Sequence, residues 1–81
     1  RAMKWRDHIE QNPKILGGKP VFKGTRLSVE LVLERLAAGE TQEQLLDQYP
    51  TLRREHILAA FGFAATQISL TRSVFLDEEA I

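Results

Sequence analysis

The sequence predicts a mainly α domain in which three helices follow a short N-terminal β element, and three observations carry that prediction. Apolar residues recur at helical spacing from Val29 to Leu36 and again from Ile57 to Ile68. Gly39 and Pro50 fall where such helices would have to stop. The stretch Ile15 to Leu27, ILGGKPVFKGTRL, holds glycine or proline at four positions, which excludes a helix there.

The elements follow in order. Residues 1–14 read as an N-terminal lead in which Arg1 and Ala2 precede the only methionine, Met3, and are expected to be a tag remnant. Trp5 is expected to anchor packing. Residues 15–68 form the domain, and residues 69–81 a C-terminal tail. Two arrangements fit ILGGKPVFKGTRL: short strands around Gly17-Gly18, or a tight hairpin in which Lys23-Gly24 turns Val21-Phe22 back onto Thr25-Arg26. Pro20 has no amide donor, so its strand belongs at an edge or bends away from pairing.

The first helix is expected to begin at Ser28, whose hydroxyl can accept from an otherwise unpaired amide of the first turn. Val29, Val32, Leu33 and Leu36 then share one face, and Gly39 ends the helix in a left-handed conformation. Thr41 and Gln44 have capping-box spacing for a short second helix with Leu45, Leu46 and Tyr49 facing inward, closed by Pro50. The third helix is expected from Leu52 or Arg53 to about Ile68, with Ile57, Phe61, Ala64 and Ile68 on one stripe and Leu58 and Ala65 beside it. Its middle, ILAAFGFAA, has so little polar surface that it suits a sandwiched helix or a subunit interface. Gly62 inside it permits either a close backbone approach or a bend. The tail is expected to be a short helix or a segment that orders on a partner.

Composition narrows the function classes. A chain of 81 residues has room for one domain with a small core, so help from a second copy is expected. Hydrophobic residues make up 43%, and no apolar stretch approaches the roughly 20 residues a membrane span needs. With no signal-like start and no cysteine, the expected location is cytoplasmic. The zero formal net charge hides a division along the chain: Arg1 to Arg26 sums to plus five, and Leu27 to Ile81 to minus five. The first third is therefore a candidate surface for an anionic partner.

The last two helices are close enough to make a helix-turn-helix, in which the first turn of the final helix enters the DNA major groove. That turn offers Arg53, Arg54 and His56, among the acids Glu55, Glu40, Glu43 and Asp47. A second cationic surface is the β element, where Lys19 and Lys23 would leave one face of a regular strand, with Lys14 and Arg26 near. Catalysis finds little support. His8 and His56 have no cysteine to join them as metal ligands, Ser28 and Ser69 sit at helix boundaries, and Gly17-Gly18-Lys19 lacks the spacing of a nucleotide-binding loop. No enzyme activity, cofactor or metal is expected.

Gly17-Gly18-Lys19-Pro20-Val21, Gly24-Thr25-Arg26-Leu27, Val29, Ala38-Gly39, Tyr49-Pro50, Leu52 and Ala59-Ala60 together make the chain resemble domain-of-unknown-function family 433, over roughly Ile15 to Ala65. The resemblance implies a homeodomain-like tri-helical helix-turn-helix preceded by a short N-terminal β-hairpin. It also implies an antitoxin that is dimeric, binds its own operator DNA and neutralises a small PIN-like ribonuclease toxin, with Lys19 to Arg26 as the family signature. One departure stands out: where the family usually caps the third helix with serine or threonine, this chain has Arg53, which cannot accept the amide bond. A cap from Thr51 would need an earlier start and would shift Arg54.

The expected DNA-binding residues are therefore Lys19, Lys23, Arg26, Arg53, Arg54 and His56. The expected partner-binding residues are apolar Val74, Phe75 and Leu76 with acidic Asp77, Glu78 and Glu79, suited to a basic, nuclease-like protein. The competing expectation is a dimeric protein-interaction module without specific DNA binding.

Overall fold

A computed structural model of the protein describes residues 4–74. A 3-10 turn at Trp5–Asp7 leads into strand β1 (Ile9–Glu10), and a second 3-10 turn at Leu16–Gly18 into β2 (Val21–Phe22). Helices α1 (Val29–Ala37), α2 (Gln42–Gln48) and α3 (Arg54–Val74) follow. The architecture is the mainly α one expected: three helices behind a small antiparallel β ribbon.

The pairing within that ribbon differs from both arrangements weighed on the sequence. Strand β2 pairs with β1, Ile9 opposite Phe22 and Glu10 opposite Val21. Gly17 and Gly18 lie in or beside the 3-10 turn, not in strands. The chain does turn at Lys23-Gly24, but Leu27 and Ser28 return alongside β2, not Thr25 and Arg26. The Phe22 N–H donates to the Leu27 carbonyl at 3.1 Å, and Val21 bridges to Ser28. Thr25 cannot pair because the turn consumes it. Its N–H and hydroxyl both donate to the Phe22 carbonyl, at 3.0 and 2.8 Å, while its hydroxyl oxygen accepts from Leu27 N–H at 3.0 Å. A regular strand from Lys19 to Lys23 is likewise absent, since Pro20 lacks a ladder donor and the ordered strand is Val21–Phe22.

The helix ends follow from their capping residues. Ser28 Oγ accepts from Leu31 N–H at 3.0 Å at the start of α1. At its end Gly39 takes φ +102°, which lets Glu40 N–H reach the Arg35 carbonyl and Gly39 N–H the Leu36 carbonyl, at 3.1 and 3.0 Å. Thr41 and Gln44 close both halves of a capping box on α2, at 2.7 and 3.1 Å. Helix α3 begins at Arg54, too late for a Thr51 cap, and continues past Ile68 to Val74.

Phe22, Leu45, Ile57, Val29 and Val32 are fully buried, and Ile9, Leu52, Ala59 and Ala60 complete the core. Both strands and all three helices thus contribute at least one side chain, and full burial of a residue such as Phe22 contributes about 1.5–3 kcal/mol. Trp5 covers the side of α3 that carries Gly62. Its ring lies over Gly62, where an added Cβ would meet Trp5 Cδ1 at 3.4 Å, an ordinary contact, so the approach does not require a glycine. The indole Nε1–H donates to Thr66 Oγ1 at 2.9 Å, and the ring meets Phe63 edge-on at 5.0 Å.

The inward face of α3 is Ile57, Ala59 and Ala60, with Phe63 half-buried. Phe61 and Ile68, placed by spacing on the stripe of Ile57, are 43% and 67% exposed, and Leu58 is 51% exposed. The small body has too few elements to cover both sides of this helix. No helix among the described residues is long and apolar enough to cross a membrane.

Candidate functional site

The β ribbon and the α2–α3 connection meet at one cleft. Strand β1 fixes His8 beside the Lys23-Gly24 turn, because the His8 carbonyl accepts from Lys23 N–H at 2.8 Å. The turn is held by the Thr25 bonds to Phe22, with Gly24 at φ +79°, a conformation that side chains at this position resist. Opposite stands the connection from Pro50 to Arg53, pinned by Leu52 N–H donating to the Tyr49 carbonyl at 2.9 Å and by the buried Leu52 side chain. His8, Lys23, Gly24, Thr25, Arg53 and His56 all line the cleft, of about 530 Å³, with Glu55 on its wall.

At the start of α3, His56 replaces the cap that the sequence lacks. Its Nδ1 accepts from Arg53 N–H at 2.9 Å, reaching back from the third helical position as the glutamate of a capping box would. This bond requires an unprotonated Nδ1, hence a neutral ring with its proton on Nε2. The surroundings favour that state. Burial lowers the His56 pKa from its ordinary value of 6.5, the neighbouring His8 and Arg53 lower it further, and Glu55 opposes them. The His8 ring stands edge-on at 6.2 Å and the Phe22 ring at 5.1 Å. Beneath the polar rim the His56 ring therefore rests on the core.

Of the six side chains expected to meet DNA, the fold gathers Lys23, Arg53 and His56 around this cleft. Lys19 lies 3.8 Å from Glu30 of α1, and Arg54 lies 3.7 Å from Glu43 of α2. Both pairs are exposed, and such pairs contribute at most about 1 kcal/mol and leave each cation available to a stronger anion. Arg26 is exposed just beyond the turn. His8 was not expected here. A two-residue strand leaves no alternation to detect, and lone Ile9 in HIEQN is its only sequence trace. Val74 is the last residue of α3, and Phe75, Leu76, Asp77, Glu78 and Glu79 lie outside the described residues.

Chemically, two exposed cations and two imidazoles around a rigid turn suit an anion, with Glu55 limiting how close a second negative charge can come. Among the described residues no group of three or more histidine, aspartate or glutamate side chains is placed to hold a metal ion.

Comparison with known proteins gives a match to the family model described as "Protein of unknown function (DUF433)" over residues 9–64, from β1 to the middle of α3. A protein of Sinorhizobium fredii named "Uncharacterized protein y4eO" is 40% identical over 73 residues. Those residues are 89% of this chain and 33% of that protein, so the chain spans about a third of the length of the curated relative it matches. No solved structure matches the chain.

Proposed function

The chain belongs to the family of unknown function DUF433, and for this member we propose an antitoxin-type role: it binds operator DNA as a homodimer, holds a PIN-like toxin, and catalyses nothing. The observation that carries the DNA half is the meeting of the Lys23 turn and the α3 N-terminus at one cleft. Two cationic surfaces that stand apart in the sequence become one continuous contact. In this reading the first turn of α3 enters the major groove, with Arg53 and Arg54 directed at base edges or phosphates. Lys23 takes a phosphate beside the groove, and the backbone N–H groups at the helix start add partial positive charge. Glu43 of α2 stands beside Arg54 in such a docking and offsets part of its charge, so specificity rests on few side chains.

The toxin half rests on sequence alone: the apolar and acidic run from Val74 to Glu79 suits a basic nuclease-like surface. The working compartment of such a pair is the cytoplasm, and no cofactor takes part. Fluorescence anisotropy with the promoter fragment of its own operon, at a series of salt concentrations, tests the DNA half. Binding that weakens steeply with salt is the expected outcome, and no binding even at low salt rejects it.

A second reading, a dimeric interaction module without specific DNA binding, draws on residues 57–71 of α3, a stretch without charged side chains that is exposed along one side. It predicts equal, weak affinity for promoter and unrelated duplexes in the same titration.

A further inference from the structure

Building on the shared cleft of the proposed function, we infer that this cleft holds one phosphodiester group between its two walls and that His8 takes up a proton when the group binds. His8 thereby joins Lys23 and Arg53 as a phosphate ligand, and binding tightens as pH falls.

Donors face the cleft from both sides. On the ribbon side, continuing the register of Ile9 with Phe22 sets His8 opposite Lys23, and Lys23 N–H donates to the His8 carbonyl at 2.8 Å. Opposed residues of an antiparallel pair carry their side chains on one face, with Cβ atoms about 5 Å apart. On the helix side stand Arg53 and His56, and all four side chains line the same space. The His8 and His56 rings lie 6.2 Å apart between centroids, a gap that one oxyanion can bridge with an N–H···O bond of about 2.8 Å to each ring. A carboxylate holds its two oxygens in one plane, whereas a tetrahedral phosphate offers oxygens to both walls. Glu55 on the helix side favours the single charge of a diester over the double charge of a monoester.

The two imidazoles divide the work. His56 is committed to its neutral form, because Nδ1 accepts from Arg53 N–H at 2.9 Å, and its Nε2–H remains a neutral donor. A proton on its Nδ1 would break that bond. No hydrogen bond within the described residues ties the His8 ring to one protonation state, so His8 is the ring free to charge. The groups around it are Lys23 across the ladder, Arg53, Glu55 and His56 at the start of α3, and Asp7 and Glu10 on its own segment. An anion seated between the walls favours the charged ring. By reciprocity, the charged ring holds the anion more tightly.

Anisotropy with the promoter duplex at about pH 8 and about pH 6, at constant ionic strength, tests this on the whole chain. Calorimetry in two buffers of different ionisation enthalpy counts the protons taken up. The wild type is expected to bind about tenfold more tightly at the lower pH and to take up a fraction of one proton on binding. His8→Gln, with circular dichroism confirming unchanged helix content, binds alike at both pH values and takes up no proton. Duplex binding that ignores pH in the wild type, or a pH dependence that survives in His8→Gln, overturns the inference and leaves the DNA reading standing. A duplex that does not bind at all rejects the DNA reading, and dimethyl phosphate then decides. With the imidazoles labelled for NMR at about pH 7, the His8 ring is expected to be more protonated in dimethyl phosphate than in sodium chloride of equal ionic strength. Equal protonation in the two salts overturns the site.

Discussion

A ring nitrogen that accepts a hydrogen bond loses that capacity once it is protonated, and His56 holds such a bond at the first turn of α3. Its pKa is lowered in the folded chain by burial first, then by His8 and Arg53, against Glu55. In the unfolded chain it returns to 6.5. Above that value the ring is neutral in both states. Below it the unfolded chain takes up the proton first, so stability falls as pH drops from about 6.5 toward the folded-state pKa. Urea midpoints between about pH 7.5 and 5.5 check this. His56→Gln, which keeps an acceptor but does not titrate, is expected to flatten the profile, and an equally steep profile in the variant contradicts the assignment. The sequence gives no hint of this arrangement. Arg53 looks like a missing cap, and a histidine three residues on is not the glutamate or glutamine that marks a capping box.

Among the elements, the helices were legible because their signals are local: Ser28, Gly39 and the Thr41–Gln44 pair act within one turn of where they stand. The partner of β2 was not, since Ile9 and Phe22 meet across a loop that no turn motif encodes. The orientation of α3 was half legible. Helical spacing groups Ile57 with Phe61 and Ile68, and only the packing of α3 on Trp5, β1, α1 and α2 sends Ile57 inward while the other two stay out. Strand β2 matters beyond its two residues, since Phe22 packs on Ile9 at one side and His56 at the other. Phe22→Ala is expected to cost about 3–5 kcal/mol in chemical denaturation. It should also weaken DNA binding, because the Phe22 ring packs the strand that carries the Lys23 turn against His56. A loss below about 1 kcal/mol would mean the core closes without this ring.

At the scale of the molecule, the charge division of the sequence becomes a geometric one: the basic N-terminal third folds against the start of the last helix instead of trailing from it. Lys23 and Arg53 are thirty residues apart in the chain and line one cleft. If each neutralises one phosphate, Lys23→Ala and Arg53→Ala each reduce the slope of log affinity against log salt by about 0.9, and together by about twice that. A double variant with an unchanged slope would remove both residues from the contact. Lys19 and Arg54 set a scale for comparison, because each already has an acidic neighbour within 4 Å and its loss should alter the slope less.

The joint use of the two segments is tested most directly by amide chemical shifts of the labelled chain during titration with a promoter duplex. Amides of Lys23, Gly24 and Thr25 and those of Arg53 to His56 should move together, with one apparent Kd and at the same salt sensitivity. Movement in only one of the two segments, or shifts confined to the Leu58–Ile68 stripe, would contradict a shared DNA-binding cleft.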